Sequence, residues 1–440
     1  MPSTRRSILA TCTTGIGALA GCISTEKPTA DGNWPRRTLN NAHTGYSTTE
    51  GPTTDLHTVW RQERLRSSVV DPSPIVDDSV LYFAHSQASR GDERGGAWIE
   101  AFDAATGDSR WTTELFRTNE RHYLYHSDST VVDEDRLFLQ TKPGLTMLTT
   151  DGEIRWTFDN LYRGQQKPDV VTPVVTDDIV VTGTYDTLVE DRQDEIVFGI
   201  DPATGNERWN VPFSEWDGMW QLAGTDNVVY VAFDSGGLVA LDMATGVERW
   251  RWKGPLNGTP TVVDDLLLVP LRRGNEHTLV AIDRRDRSLR WRQSIGVHWA
   301  EAEFTVADGL IYHVANYGLE ARRLETGERV WRFGGDVDDE DQRRFSPDKP
   351  YMGLDSTPVV SGDAVYALGW IQRDTTYVHL FVVDAATGEE LGHAEIGHNE
   401  QARTGTPAVT SDLVFVGSNN GNLYAFGECS FEIAGRCLVD

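Results

Sequence analysis

The chain has 440 residues, with 67 Asp and Glu against 40 Lys and Arg, a net charge of −27 and four cysteines. The acids are scattered along the whole chain, and such a surface repels nucleic acid, whose affinity comes from neutralised phosphates. Dispersed carboxylates that keep a protein hydrated in strong salt point to a halophilic source.

The first residues read as an address. Arg5-Arg6 precedes a small, apolar run over residues 8–20 that ends in Leu19-Ala20-Gly21-Cys22. A charged start, a short apolar stretch and a small-residue cleavage site make residues 1–21 a secretory signal. The paired arginines point to the twin-arginine route. The Leu-Ala-Gly-Cys sequence resembles a lipobox, in which Cys22 becomes the lipidated first residue. The apolar run is too short to span a bilayer, which needs roughly 20 residues. After cleavage, 67 acids face 38 basic residues, a net charge of −29. Residues 22–33 are polar, without hydrophobic period, and read as a flexible tether. At the other end, Cys429 and Cys437 remain as two thiols of an exported chain. They are expected to close the tail, 429–440, with one disulfide.

Between these ends the chain repeats itself. Ala101-Phe102-Asp103-Ala104-Ala105-Thr106-Gly107 leads to Trp111, and the pattern returns as Asp201, Thr204, Gly205, Trp209 and as Asp242, Thr245, Gly246, Trp250. Weaker copies end at Trp156, Trp291 and Trp331. Another, Asp384 to Gly388, has Gly392 where the tryptophan belongs. The Asp side chain can bond backbone N–H groups two residues on, and Gly supplies the positive φ of a tight hairpin. The tryptophan then suits docking of one sheet on the next.

A second element precedes each copy: Pro74, Thr172-Pro173, Thr259-Pro260, Thr357-Pro358 and Thr406-Pro407 each open a short strand that ends in an acidic turn. Four antiparallel strands per unit make a propeller blade. The tryptophan spacings of 51, 45, 53, 41, 41 and 40 residues from Trp60 to Trp331 suit that repeat. The expected fold is all-β, an eight-bladed β-propeller of four-stranded antiparallel blades over residues 34–428. The last unit lacks its tryptophan strand, and the strand around Trp60 lacks a blade, so the N-terminal strand is expected to close the ring. A WD-type propeller is excluded, because the repeat tryptophans precede Thr, Asn or Arg rather than Asp.

The Ala-x-Asp-x-x-Thr-Gly-x-x-x-Trp unit resembles the docking motif of pyrroloquinoline-quinone (PQQ)-type propellers, and the segment from Trp34 to Tyr46 resembles their opening segment. The resemblance covers nearly all of residues 34–427 and implies one of two functions. One branch holds quinoprotein dehydrogenases, with PQQ and calcium at the channel mouth. The other holds non-catalytic lipoproteins, such as the propeller subunit of the β-barrel assembly machinery. The vicinal Cys-Cys pair of quinoprotein alcohol dehydrogenases is absent, and the length and lipobox favour the second branch.

Ligands of propellers sit where the loops entering the innermost strands surround the channel. Here those loops carry His126, Trp220, His298, Trp299, Glu301 and Arg403, which supply stacking faces and hydrogen-bonding heads for a planar or sugar-like ligand. The acidic run 336–341 lacks the spacing of an EF-hand. His393 and His398 are five apart, one too many for a zinc-protease helix. Asn257-Gly258-Thr259 is a glycosylation sequon. No nucleophile elbow or phosphate loop occurs. The expected function is a monomeric, non-enzymatic scaffold or binding protein. Its partner would be a protein or surface polymer, and it would touch the outer face of the cell membrane only through its lipid. The alternatives are a small PQQ-dependent oxidoreductase and a carbohydrate-binding propeller.

Overall fold

The computed structural model describes residues 28–63, 73–87, 89, 94–118, 129–141, 143–161, 171–183, 195–214, 216, 218–225, 227–234, 236–296, 303–334, 351–354, 356–372, 376–398, 405–418, 421–429, 432–433 and 436–437. Eight four-stranded antiparallel blades form a ring. Blades 1 to 8 span 75–118, 131–158, 174–213, 219–253, 261–295, 305–333, 359–398 and 408–428, the last completed by strand Leu56–Gln62. A short strand, Tyr351–Leu354, extends blade 7 by pairing with residues 369–372.

Burial orders each blade from axis to rim. First strands such as Ile75–Asp77 and Val174–Val175 are buried, whereas fourth strands such as Glu248–Lys253 alternate exposed and half-buried residues. The middle strands are apolar on both faces because each blade is stacked between two others. Val229, Val231 and Phe233 face blade 3, while Tyr230 and Ala232 face blade 5.

The repeated motif is a clasp between neighbouring blades. Asp201 Oδ1 accepts from the Thr204 N–H (2.9 Å) and hydroxyl (3.0 Å), and its other oxygen lies 2.5 Å from Arg208. Asp103 and Asp242 bind Thr106, Arg110, Thr245 and Arg249 in the same way. The tryptophan of the preceding blade lies across that turn. The indole N–H of Trp60, Trp156, Trp209 and Trp331 donates to the carbonyl of Ala104, Pro202, Met243 and Ala385 at 3.0–3.2 Å. The turn glycine is required twice over. Gly205 has φ +71°, and a Cβ there would come within 2.6 Å of Trp156.

The ring closes as expected. Leu56–Gln62 pairs antiparallel with Leu423–Glu428, setting Trp60 opposite Ala425. The chain reaches this strand by crossing from blade 7 to blade 8, with Tyr366 donating to the Pro52 carbonyl and Glu428 accepting from the N–H groups of Thr53 and Thr54. This crossing explains the missing tryptophan. A Cβ at Gly392 would lie 2.5 Å from the Thr53 carbonyl oxygen, so no side chain fits there.

Two further expectations meet the structure here. Asn257 of the sequon is only 6% exposed and its N–H is bonded to Pro270, so the folded protein does not offer it for glycosylation. Cys429 is disulfide-bonded, and its N–H donates to Asp55 beside the closing strand. The side chain of Cys437 lies outside the described residues.

Candidate functional site: a collared central channel

The innermost strands leave one edge unpaired, and eight such edges face the axis. The segment from Asp31 to Ser47 satisfies them in turn. Val76 of blade 1 donates its N–H to Trp34 at 2.9 Å, Val132 of blade 2 to Pro35 at 2.8 Å and Val175 of blade 3 to Asn41 Oδ1 at 3.2 Å. Gly224, Val262, Val306 and Val360 of blades 4 to 7 then donate to the carbonyls of Asn41, Ala42, Thr44 and Gly45 at 2.7–2.9 Å. Ser411 of blade 8 donates to Asp31 at 2.8 Å. The segment is a collar that visits all eight blades in order. Residues 29–33, read from the sequence as the end of a tether, are already bound to blades 8 and 1.

The collar's sequence sets its course. Asn40 Oδ1 accepts from the N–H groups of Ala42 and Thr44, an Asx turn that swings the chain across blades 3 to 6. Gly45 has φ +62°, and a Cβ there would meet the Thr305 hydroxyl at 2.4 Å. Arg36 is 2% exposed, bonded to Asn41 and to the Pro173 carbonyl, and burial pushes its pKa down to about 9. Burial, with Arg36 adding to it, holds His43 down at about 3, so its imidazole is neutral.

Inside the collar, one residue per blade forms a polar ring: Ser73, Ser129, Thr172, Gln221, Thr259, Glu303, Thr357 and Thr406. Each stands at or near the head of its blade's first strand. Neighbours bond one another: Thr406 N–H to the Ser73 hydroxyl at 3.1 Å, Thr172 N–H to Gln221 at 3.0 Å and the Thr259 hydroxyl to Glu303 at 3.4 Å. Arg37 reaches into this ring from the collar. It pairs with Glu303 at 2.8 Å and donates to the Thr406 and Thr357 hydroxyls at 3.0 and 3.4 Å, while Thr357 also donates to Glu303. One guanidinium therefore ties blades 6, 7 and 8 together at the axis.

Among the sequence-derived candidates, Cys22, His126, His298, Trp299, Glu301 and Arg403 lie outside the described residues, as does the side chain of Trp220. All of these but Cys22 stand within a few residues of the ring's Ser129, Gln221, Glu303 and Thr406 in sequence. Arg37 and Glu303 were missed. Their signal was present, since Glu303 occupies the place that Thr holds in the Thr-Pro repeats and Arg37 belongs to the Trp34–Tyr46 segment.

Calcium takes six to eight oxygen ligands. Among the described residues the ring offers one carboxylate, Glu303, already neutralised by Arg37, and no three His, Cys, Asp or Glu side chains converge for a cation. The described ring residues by themselves do not furnish a calcium site.

Eight blades built on this repeat define a PQQ-type propeller. The chain belongs to the family described as outer membrane protein assembly factor BamB, whose pattern matches residues 95–250, 193–271 and 252–430. The BamB of Yersinia pestis is 23% identical over 352 residues, which cover 74% of this chain and 79% of that protein. The crystal structure of BamB from Moraxella catarrhalis superposes with a TM-score of 0.58 at 16% identity, covering 84% of this chain and 99% of that one. The quinohemoprotein alcohol dehydrogenase of Comamonas testosteroni gives 0.64 at 15% identity, covering 93% and 82%. At these identities the structural likenesses concern the fold.

Proposed function

We propose that the protein is an exported scaffold, lipid-anchored through Cys22, that holds a protein partner or a surface polymer at the outer face of the cell membrane without catalysing a reaction. The observation that carries this reading is the channel: the inner edges of its blades are bonded to the chain's own collar, and Arg37 neutralises the ring's carboxylate. Family membership supports a protein-binding role, since the relatives carry the name of an assembly factor. The closure of the ring supports twin-arginine export. A fold that joins Leu56–Gln62 to Leu423–Glu428 is complete only when the whole chain exists, which suits a route carrying folded proteins. A disulfide between Cys429 and Cys437 completes the proposal for the tail.

The test is titration of PQQ into the mature protein in strong salt, with and without calcium, followed by absorbance and calorimetry. The scaffold reading expects no saturable binding by folded protein. Stoichiometric binding with a shifted quinone spectrum, followed by alcohol- or aldose-dependent dye reduction, would overturn it in favour of a quinoprotein oxidoreductase.

A further inference from the structure

The collar leaves the ring at one point. The N–H and hydroxyl of Thr29 both donate to Asp412 Oδ2 at 2.7 Å, the Asp31 carbonyl accepts from Ser411, and Ala30 between them is 3% exposed. Ser411 and Asp412 form the turn between the first and second strands of blade 8. The chain therefore emerges near the axis, on the face made by these turns. The Asp-x-x-Thr-Gly turns share that face, because Ala104, Met243 and Ala385 donate to the carbonyls of Ser79, Asn227 and Asp363 in the first turns of their own blades. Hairpins between second and third strands, such as Gly274-Asn275, lie on the opposite face.

We propose that this turn face is the membrane-proximal face of the anchored protein, with the lipid surface as its neighbour and the hairpin face left for the partner. The inference rests on Cys22 being the lipid anchor. From Cys22 to Thr29 the chain spans at most roughly 25 Å, at about 3.3–3.6 Å per residue. To turn the hairpin face to the membrane, the tether would have to run from the axis to the rim and then along a blade. Four strands about 4.8 Å apart put the rim roughly 15–20 Å from the axis, and a strand of six to eight residues adds about 20–25 Å. The path exceeds the tether, so the disc cannot turn over.

Charge sets the stand-off. Asp78, Glu134, Asp178, Asp264, Asp308 and Asp363 are exposed in six of these first turns. Facing anionic headgroups they are repelled in dilute salt, but at 1 M the screening length falls to about 3 Å. The protein's acidic composition and a close approach to the membrane are compatible only in strong salt.

The experiment uses full-length protein, lipidated in its own host and reconstituted into vesicles containing an anionic phospholipid and an acceptor-labelled lipid. Asp178→Cys marks the turn face and Asn275→Cys the hairpin face; both positions are exposed, so labelling with a donor dye leaves the core intact. Given the steep distance dependence of energy transfer and a thickness of about 20 Å, transfer from position 178 should exceed that from 275 at least about twofold. It should also rise as salt is increased. Equal or reversed efficiencies overturn the orientation. Mass spectrometry of the N-terminal peptide, with Cys22→Ala as control, separates the two failures. An unmodified Cys22 removes the anchor and the orientation together, whereas a lipidated Cys22 with the wrong ordering of efficiencies overturns the orientation alone.

Discussion

Arg37 and Glu303 stand 266 positions apart in the chain and 2.8 Å apart at the axis of the ring. Glu303 is buried beneath Thr259 and Thr357, and Arg37 is its counter-charge. Removing one member of a buried pair leaves an uncompensated charge. Because Arg37 keeps 19% of its side chain exposed, Arg37→Ala should cost about 2–3 kcal/mol rather than the 3–5 of a fully buried pair. Glu303→Thr restores the residue of the other repeats. Combined with Arg37→Ala it should cost less than the two single changes summed, as denaturant unfolding of all four proteins would measure.

The clasp glycines make a second prediction. At Gly205 a methyl group meets both an unfavourable φ and the indole of Trp156, so Gly205→Ala should destabilise by about 2 kcal/mol or more. Trp156→Phe, which keeps most of the apolar area and loses the bond to Pro202, should cost only about 1 kcal/mol. Thermal unfolding of the two variants under one salt condition checks the order.

Repeat consensus misleads at one site. Writing the missing tryptophan back as Gly392→Trp would strike the Thr53 carbonyl and displace the crossing to the closing strand. The substitution should lower stability and expose residues 48–62 to limited proteolysis, whereas tryptophan completes the other interfaces.

Stability should fall with acid in two stages. His43 is held near 3 against an ordinary 6.5, so folding favours its neutral form; that contribution is lost as pH falls below about 6.5 toward 3. Asp201 and Asp283 are held down to about 2, chiefly by hydrogen bonds from Arg208 and Arg290. Their contribution is present above the ordinary carboxylate value of 3.8 and is lost as pH drops from there toward 2. His43→Gln should remove the first stage and Asp201→Asn part of the second in urea melts taken from pH 7 to about 2.

The blades were legible in the sequence because each one writes its clasp locally. Asp, Thr, Gly and Trp at fixed offsets are all needed by one turn and one indole. Closure by the Trp60 strand was legible for the same reason, as a clasp residue without a blade. The collar was not. Apart from the Asn41 side chain's bond to Val175, the bonds it accepts from the innermost strands run from backbone N–H to backbone carbonyl, and any residue can make them. Gly392 read as a degenerate repeat until the crossing at Thr53 gave the reason. Glu303 passed unnoticed because a single acid among 67 carries no mark until Arg37 lies beside it.

Hydrogen exchange followed residue by residue tests most directly whether the N-terminal segment caps and ties the ring. The amides of Val76, Val132, Gly224, Val262, Val306 and Val360 should be strongly protected in the native protein. Replacing Ala42 and Thr44 by proline, which disturbs the collar where it crosses blades 5 and 6, should release Val262 and Val306 first while Val229 and Val231 in the second strand of blade 4 stay protected. Protection unchanged by those substitutions, or amides at these positions already exchanging freely in the native protein, would contradict the account.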